Sequence, residues 1–468
     1  MPTPRLTLSA RRLPPALWAS GWLLGTIGLV GLVTVFPVSL AADDWPQWRG
    51  PQRDGIWRET GIVDRFPADE LSHRWSVPIG SGYSGPTVAD GRVFVTDRGL
   101  DRTGPQQERV LCFDEATGQS LWELAYPCTY TISYTAGPRA AVTVDGQRAY
   151  AVGAMGDFHC LDVHNGDILW KRDLKADYDV EMPIWGIAAA PLIDGDLVIQ
   201  QVGGTPAACL VAFDKATGQE VWRSLSERAG YASPVLIEQA GRPVLVCWTA
   251  DTVSGLNPTT GKVYWSVPFP PTRMPIGIAT PVTDGERLFV SSFYDGSLML
   301  SLDQERPAAR VLWQKAGPDE RTTVALHVMI GTPILEDGYL YGVDSYGQLR
   351  CLDADTGERI WEDTTAVPTA RWATIHLVRH EEEVWMFNDQ GELLITQLSP
   401  DGFQERDRAQ LIERTTVQLA RRGGVTWAHP AFANRHVFAR NDERLVCSSL
   451  AAEAAERADD SEAADPNR

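Results

Sequence analysis

Cysteine and histidine are scarce in this chain of 468 residues, with seven and eight copies respectively. No two cysteines are adjacent, and none stand as Cys-x-x-Cys. That excludes a compact thiolate metal centre and a covalently attached haem segment. An odd cysteine count also argues against a disulfide framework. Basic residues are in deficit, with 42 Lys+Arg against 61 Asp+Glu and a net charge of −19. Such a chain is a poor electrostatic partner for nucleic acid or anionic lipid. Sustained helical periodicity is absent, which excludes a helical bundle. Ser, His and Asp are scattered without a nucleophile-base grouping, so hydrolase or lyase chemistry has no candidate residues. Tryptophan, by contrast, is abundant at 17 copies.

Residues 1–42 carry Arg5, Arg11 and Arg12 and no acid, and Leu13 to Ala42 is uncharged. An apolar stretch from Trp18 to Val35 leads to Ser39-Leu40-Ala41, with small residues where a signal peptidase cuts. This reads as a secretory signal; the alternative is an uncleaved anchor in the inner membrane. The chain is therefore expected to be exported, periplasmic or extracellular, and to touch a membrane only if that segment stays attached. At the other end, residues 451–468 hold six acids and two arginines, the composition of a disordered acidic tail.

Between these ends a unit repeats. A short strand leads into Asp-x-x-Thr-Gly, and a second strand bearing Trp follows. The unit reads Asp114 to Gly118 with Trp122, Asp162 to Gly166 with Trp170, Asp214 to Gly218 with Trp222, and Asn257 to Gly261 with Trp265. Asp303 with Trp313 is a looser copy, and Asp353 to Gly357 with Trp361 a clean one. Successive tryptophans stand 43 to 52 residues apart, and Trp75 precedes Trp122 by 47. Each unit opens with two apolar runs joined by a turn, as in Ala89-Asp90-Gly91-Arg92, a strong hairpin signal. Four-stranded units of this length in tandem specify a β-propeller. Units begin near Pro86, Pro138, Pro191, Pro234, Pro281, Pro333, Ala373 and Pro430. The fold expected is all-β, an eight-bladed propeller of four-stranded antiparallel blades over residues 73–450. The seventh unit has lost its Trp motif and keeps a degenerate fourth strand near Phe403. The eighth lacks a fourth strand, and the strand around Trp75 lacks the three before it. Trp75's strand therefore closes the ring and leaves no open sheet edge. Residues 43–72 become an N-terminal strap packed across the ring through Trp45 and Trp48.

In the repeat, Asp and Thr cap backbone amides, and Gly supplies a positive φ. Trp75, Trp122, Trp170, Trp222, Trp265, Trp313 and Trp361 are structural: each covers the gap to the adjoining blade and offers its N–H to a carbonyl. Cys112, Cys160, Cys351 and Cys447 occupy equivalent places on the third strand, matched by Ala212, Gly255 and Ser301 elsewhere. That place takes a small residue, and cysteine serves as an apolar filler. His376 and His380 share one strand face without further ligands nearby, so they read as a packed or solvated pair and no metal site is assigned.

The repeated Asp-x-x-Thr-Gly-x-x-x-Trp and the lead-in Trp45-Pro46-Gln47-Trp48-Arg49-Gly50-Pro51 resemble the PQQ-type repeat family over about residues 44–450. That family includes eight-bladed quinoprotein alcohol dehydrogenases and the β-barrel assembly lipoprotein of the outer membrane. The resemblance implies the scaffold. Its dehydrogenase branch would imply pyrroloquinoline quinone with calcium, but the paired cysteines of that branch are missing here, and no catalytic residue carries over. The lipidated cysteine of the assembly lipoprotein is missing too.

In each blade the first-to-second and third-to-fourth turns share one face, and they are short and regular. Connections from one blade to the next lie on the other face, and variable loops on a rigid scaffold are where binding concentrates. These connections hold the candidate ligand-binding residues Tyr134, Trp185, Tyr231, His327, Arg371, Trp372 and Trp427, with Arg139 and His429 at the start of innermost strands. Aromatics beside Arg and His at a channel mouth suit a planar anionic or sugar-like ligand. The function expected is an exported binding or scaffold module for a small molecule or an exported protein. The alternative is a divergent PQQ-dependent dehydrogenase oxidising alcohols or sugars at the same mouth.

Overall fold

The computed structural model describes residues 43–99 and 106–452. The expected signal segment, and the acidic tail beyond residue 452, lie outside these residues. Eight four-stranded antiparallel sheets form, as the repeat count requires. Seven are continuous in sequence, spanning residues 87–127, 143–173, 192–224, 235–268, 282–315, 334–363 and 375–410. The eighth joins Ala431–Ala433, His436–Arg440 and Arg444–Ser449 to His73–Pro78 from the start of the chain. Trp75 faces Cys447 and Pro78 faces Arg444 in that last pairing, so the ring closes through the Trp75 strand. Strands are named A to D from the channel outwards. Among the described residues the helical segments include single turns at Leu174–Asp177 and Arg421–Gly423, and no helix is long and apolar enough to cross a membrane.

The repeated residues form the seams between blades. Asp114 Oδ1 accepts from the Thr117 N–H at 2.9 Å and from its hydroxyl at 2.6 Å, and Asp214 and Asp353 do the same for Thr217 and Thr356. The turn thus holds a Gly in the left-handed region, at φ +72° for Gly118. That Gly lies under the indole of the preceding blade. A Cβ on Gly118 would stand 2.8 Å from Trp75, and one on Gly357 would stand 2.9 Å from Trp313. Each indole N–H reaches over the seam: Trp75 to Glu115 O at 2.8 Å, Trp122 to Val163 O at 2.9 Å, Trp313 to Ala354 O at 2.8 Å. Blade five has no Gly in its turn, and there the link changes. Trp265 donates to Gln239 Oε1 at 3.1 Å, and the Gln239 amide passes the bond on to Ala308 O at 2.7 Å.

The small place on strand C holds in most blades. Trp222 faces Ala212 and Trp265 faces Gly255, where a Cβ would stand 2.2 Å from the indole. In blade five the register differs from the one expected from sequence: Trp313 faces Met299, not Ser301. An unbranched thioether bends around the indole where a β-branched chain would clash. All seven cysteines are free and buried, and burial pushes the Cys112 thiol up to about 12.

Blade seven keeps a full fourth strand, Gly402–Gln410, although its sequence looked degenerate. Asp407 stands opposite Ile395, where the other blades have Trp. The strap fills that seam: the Phe66 N–H donates to Asp407 Oδ2 at 2.6 Å. Trp57, fully buried, stacks on His380 at 4.6 Å and meets Trp385 edge-on at 5.4 Å.

Before reaching that seam, the strap passes inside the ring. Trp45 pairs with Val88 on strand A of blade one, and Pro46 O accepts from Val144 of blade two at 2.8 Å. Arg53 donates to Ala190 O at 3.1 Å and Pro191 O at 2.7 Å in blade three. Trp48 Nε1 donates to Thr280 Oγ1 at 2.7 Å in blade five, and its ring meets His429 of blade eight edge-on at 4.4 Å. The strap therefore plugs the channel from the face that carries the short turns.

Candidate functional site

Above the plug the channel remains hollow. Its cavity measures about 130 Å³ and is floored by Trp48. The wall comes from residues just ahead of strand A in successive blades, Tyr83, Arg139 with Ala141, Ala190, Ser233, Ile278, Met329 with Ile330 and His429, and from His376 at the start of strand A in blade seven. These positions repeat because every blade delivers its innermost strand to the same axis. Tyr134, Trp185, Tyr231 and Trp427 complete the lining.

The aromatic residues form a cage at the mouth. Tyr134 sits at its centre, edge-on to Trp185 at 6.1 Å and to Trp372 at 6.4 Å, and tilted against Trp427 at 6.5 Å. Trp185 in turn lies against Tyr231 at 5.1 Å. Tyr134 and Trp372 have φ of +57° and +70°. Non-glycine residues in that region carry local strain, held here by the surrounding loops. One such hold is Arg139, whose guanidinium donates to the carbonyls of Ser133, Tyr134 and Gly137. It also lies over the Tyr83 ring at 4.9 Å. Burial lowers its pKa from the ordinary value, and no carboxylate stands within 4.0 Å of it among the described residues. Burial likewise raises the Tyr231 phenol to about 12.

Cations ring the mouth. Arg371 lies over Trp372 at 4.6 Å and pairs with Glu320 at 2.9 Å. Arg421 approaches Trp372 at 5.9 Å and has no carboxylate within 4.0 Å among the described residues. Arg422 pairs with buried Asp389 at 2.9 Å.

Of the residues singled out from sequence, Tyr134, Arg139, Trp185, Tyr231, Trp427 and His429 line the cavity. Trp372 joins through Tyr134, and Arg371 through Trp372. His327 stands apart from them. It is fully buried, and its ring bridges Phe293 O at 3.0 Å and the Gly317 N–H at 3.1 Å. With both ring nitrogens engaged it positions a loop and faces no ligand. His376, expected in a packed or solvated pair with His380, lines the cavity while His380 packs against Trp57. Trp48, expected only as an anchor of the strap, also floors the cavity, and Tyr83 carries no expectation from sequence. The recurring place at the entry to each strand A was the signal that would have found Tyr83, Ser233 and His376 together.

The histidines are neutral. Burial, aided by the charge of Arg49, pulls His376 down to about 4 while the Trp427 carbonyl holds its Nε2 at 2.9 Å. Burial pulls His429 to about 3. The cavity lining contains no carboxylate. Calcium takes oxygen ligands, chiefly carboxylates and carbonyls, so a quinone held together with calcium does not fit this donor set.

Comparison with known proteins bears on both readings. The family model described as outer membrane protein assembly factor BamB matches residues 106–363 and 322–465. A BamB from Shewanella oneidensis is 23% identical over 322 residues, which cover 63% of this chain and 71% of that protein. A quinone-dependent 1-butanol dehydrogenase from Thauera butanivorans is 27% identical over 146 residues, covering 28% of this chain and 23% of the enzyme. Among solved structures, the quinohemoprotein alcohol dehydrogenase of Comamonas testosteroni superposes with a TM-score of 0.61 at 13% identity, over 87% of this chain and 81% of that one. At that identity the likeness is one of fold.

Proposed function

Since the chain belongs to the family of PQQ-like propellers described by the assembly factor BamB, we propose that it is an exported scaffold that holds a partner at the open mouth of its channel. The observation that carries this reading is the asymmetry of the channel. One end is filled by the strap, and the other presents an aromatic cage ringed by arginines over a cavity of about 130 Å³. A cage of Tyr and Trp with the unpaired Arg421 beside it takes a partner that offers an aromatic or apolar group together with negative charge. The relatives named as assembly factors support a protein partner over a turned-over substrate.

The test is native mass spectrometry of the chain isolated from its own host, beside Tyr134→Ala and Trp185→Ala variants. A bound species present on the natural chain and depleted at least tenfold on both variants supports the mouth as the site. Equal occupancy in all three places the partner elsewhere. In a parallel assay the chain is given pyrroloquinoline quinone, calcium and a primary alcohol. Sustained oxidation would overturn the scaffold reading in favour of a dehydrogenase.

A further inference from the structure

On the strap side of Trp48 lies a second, smaller hollow of about 30 Å³. Its lining includes Trp45, Trp48, Arg49, Thr332, His376 and His429, and no carboxylate. Three groups there are donors with nothing to donate to, or with capacity to spare. The Trp45 indole N–H is buried without a partner. Arg49 spends Nε on Arg53 O at 3.3 Å and Nη2 on Asp54 O at 2.6 Å, while its Nη1 has no hydrogen bond among the described residues. Thr332 Oγ1 accepts from the Thr280 N–H at 3.2 Å, and its own hydrogen is uncommitted. Next along the strap, Arg53 is 5% exposed and is held only by the carbonyls of Ala190 and Pro191 and the side-chain oxygen of Gln47.

Neither arginine has a carboxylate within 4.0 Å among the described residues. Asp54, the nearest acid in sequence, pairs instead with Arg58. Burial draws Arg49 down to about 10 and Arg53 to about 9, values at which both remain charged at neutral pH. A buried cation at Arg53 and a half-buried one at Arg49, neither paired directly with a carboxylate, are costly, and the unpaired buried N–H of Trp45 adds to that cost. The flanking histidines are neutral and supply no negative charge.

We propose that this hollow holds a small monovalent anion of the halide class, bound by Arg49 Nη1 together with the donors of Trp45 and Thr332. Volume selects the class: about 30 Å³ admits one chloride or bromide and excludes a carboxylate-bearing metabolite. The anion neutralises the arginines that the strap carries into the channel. It thereby ties the plug in place on the far side of Trp48 from the partner cavity.

The experiment uses the whole chain with bromide as the probe. Crystals grown without chloride and soaked in sodium bromide are expected to show an anomalous peak within about 3.5 Å of Arg49 Nη1. In solution, replacing gluconate by chloride at fixed ionic strength is expected to raise Tm by about 2 °C or more in the natural chain. That rise should vanish in Arg49→Gln and shrink in Thr332→Val. A hollow that contains only water in the bromide-soaked natural chain, with equal Tm in chloride and gluconate, overturns the proposal whether or not either variant folds.

Discussion

At the closed end of the channel, Trp45 and Trp57 are each 2% exposed and wedged between blades by the strap. At the open end, Tyr134, Trp185 and Trp372 keep accessible surface although they touch one another. The residue types are alike, but their surroundings differ. The closed-end indoles pack against strands of the regular scaffold, and the open-end ones stand on loops that differ from blade to blade. Packing against a period stabilises the fold, whereas standing outside it leaves an aromatic face free to be covered by something else.

The sharpest way to break this contrast is truncation at each end. Trp57→Ala should cost about 3–5 kcal/mol in urea unfolding, because it empties the seam that blade seven cannot close with its own Trp. A cost under about 1 kcal/mol would mean that the strap is an ornament.

Next in size is the response to acid. His376 and His429 have folded values of about 4 and about 3, below the ordinary 6.5. The unfolded chain then binds protons that the folded one refuses. Their contribution to stability is complete above pH 6.5 and is eroded as the pH falls from there towards the folded values. The loss expected between pH 6.5 and pH 4 is on the order of 2–3 kcal/mol for each histidine taken alone. It is read from urea midpoints and should be smaller in the His376→Gln, His429→Gln double variant.

At the open end, Arg139→Met should cost about 1–2 kcal/mol, since three loop carbonyls lose their donor. Trp185→Ala should change the unfolding free energy least, by about 0.5–1 kcal/mol. The same substitution is expected to lower partner occupancy tenfold. A Trp185 variant that loses stability as Trp57→Ala does would erase the distinction between the two ends.

How far the sequence reaches follows the same line. The blade count, the closing strand and the seam tryptophans were legible because a repeated chemical task leaves a repeated residue. Met299 opposite Trp313 was missed although the spacing carried it: Trp313 follows Asp303 by ten residues where Trp122 follows Asp114 by eight, and the bulge moves along the strand with it. Asp407 looked like decay, yet it accepts the Phe66 N–H of a segment 341 positions away in the chain. The mouth was found by its composition, through Tyr134, Trp185 and Trp427. His327 has that same composition, but its ring nitrogens are engaged by Phe293 and Gly317. The lead-in pattern announced a strap across the ring through Trp48, but that Trp48 and Arg53 turn into the channel depends on contacts with distant strands.

Hydroxyl-radical footprinting of the chain as isolated from its host, and again after stripping in mild denaturant and refolding, tests the central claim most directly. Labelling of Tyr134, Trp185 and Trp372 should rise several-fold on stripping, while Trp45 and Trp57 stay protected in both states. A rise confined to the strap side, or no change at the three cage residues in a chain shown to carry a partner, would contradict it.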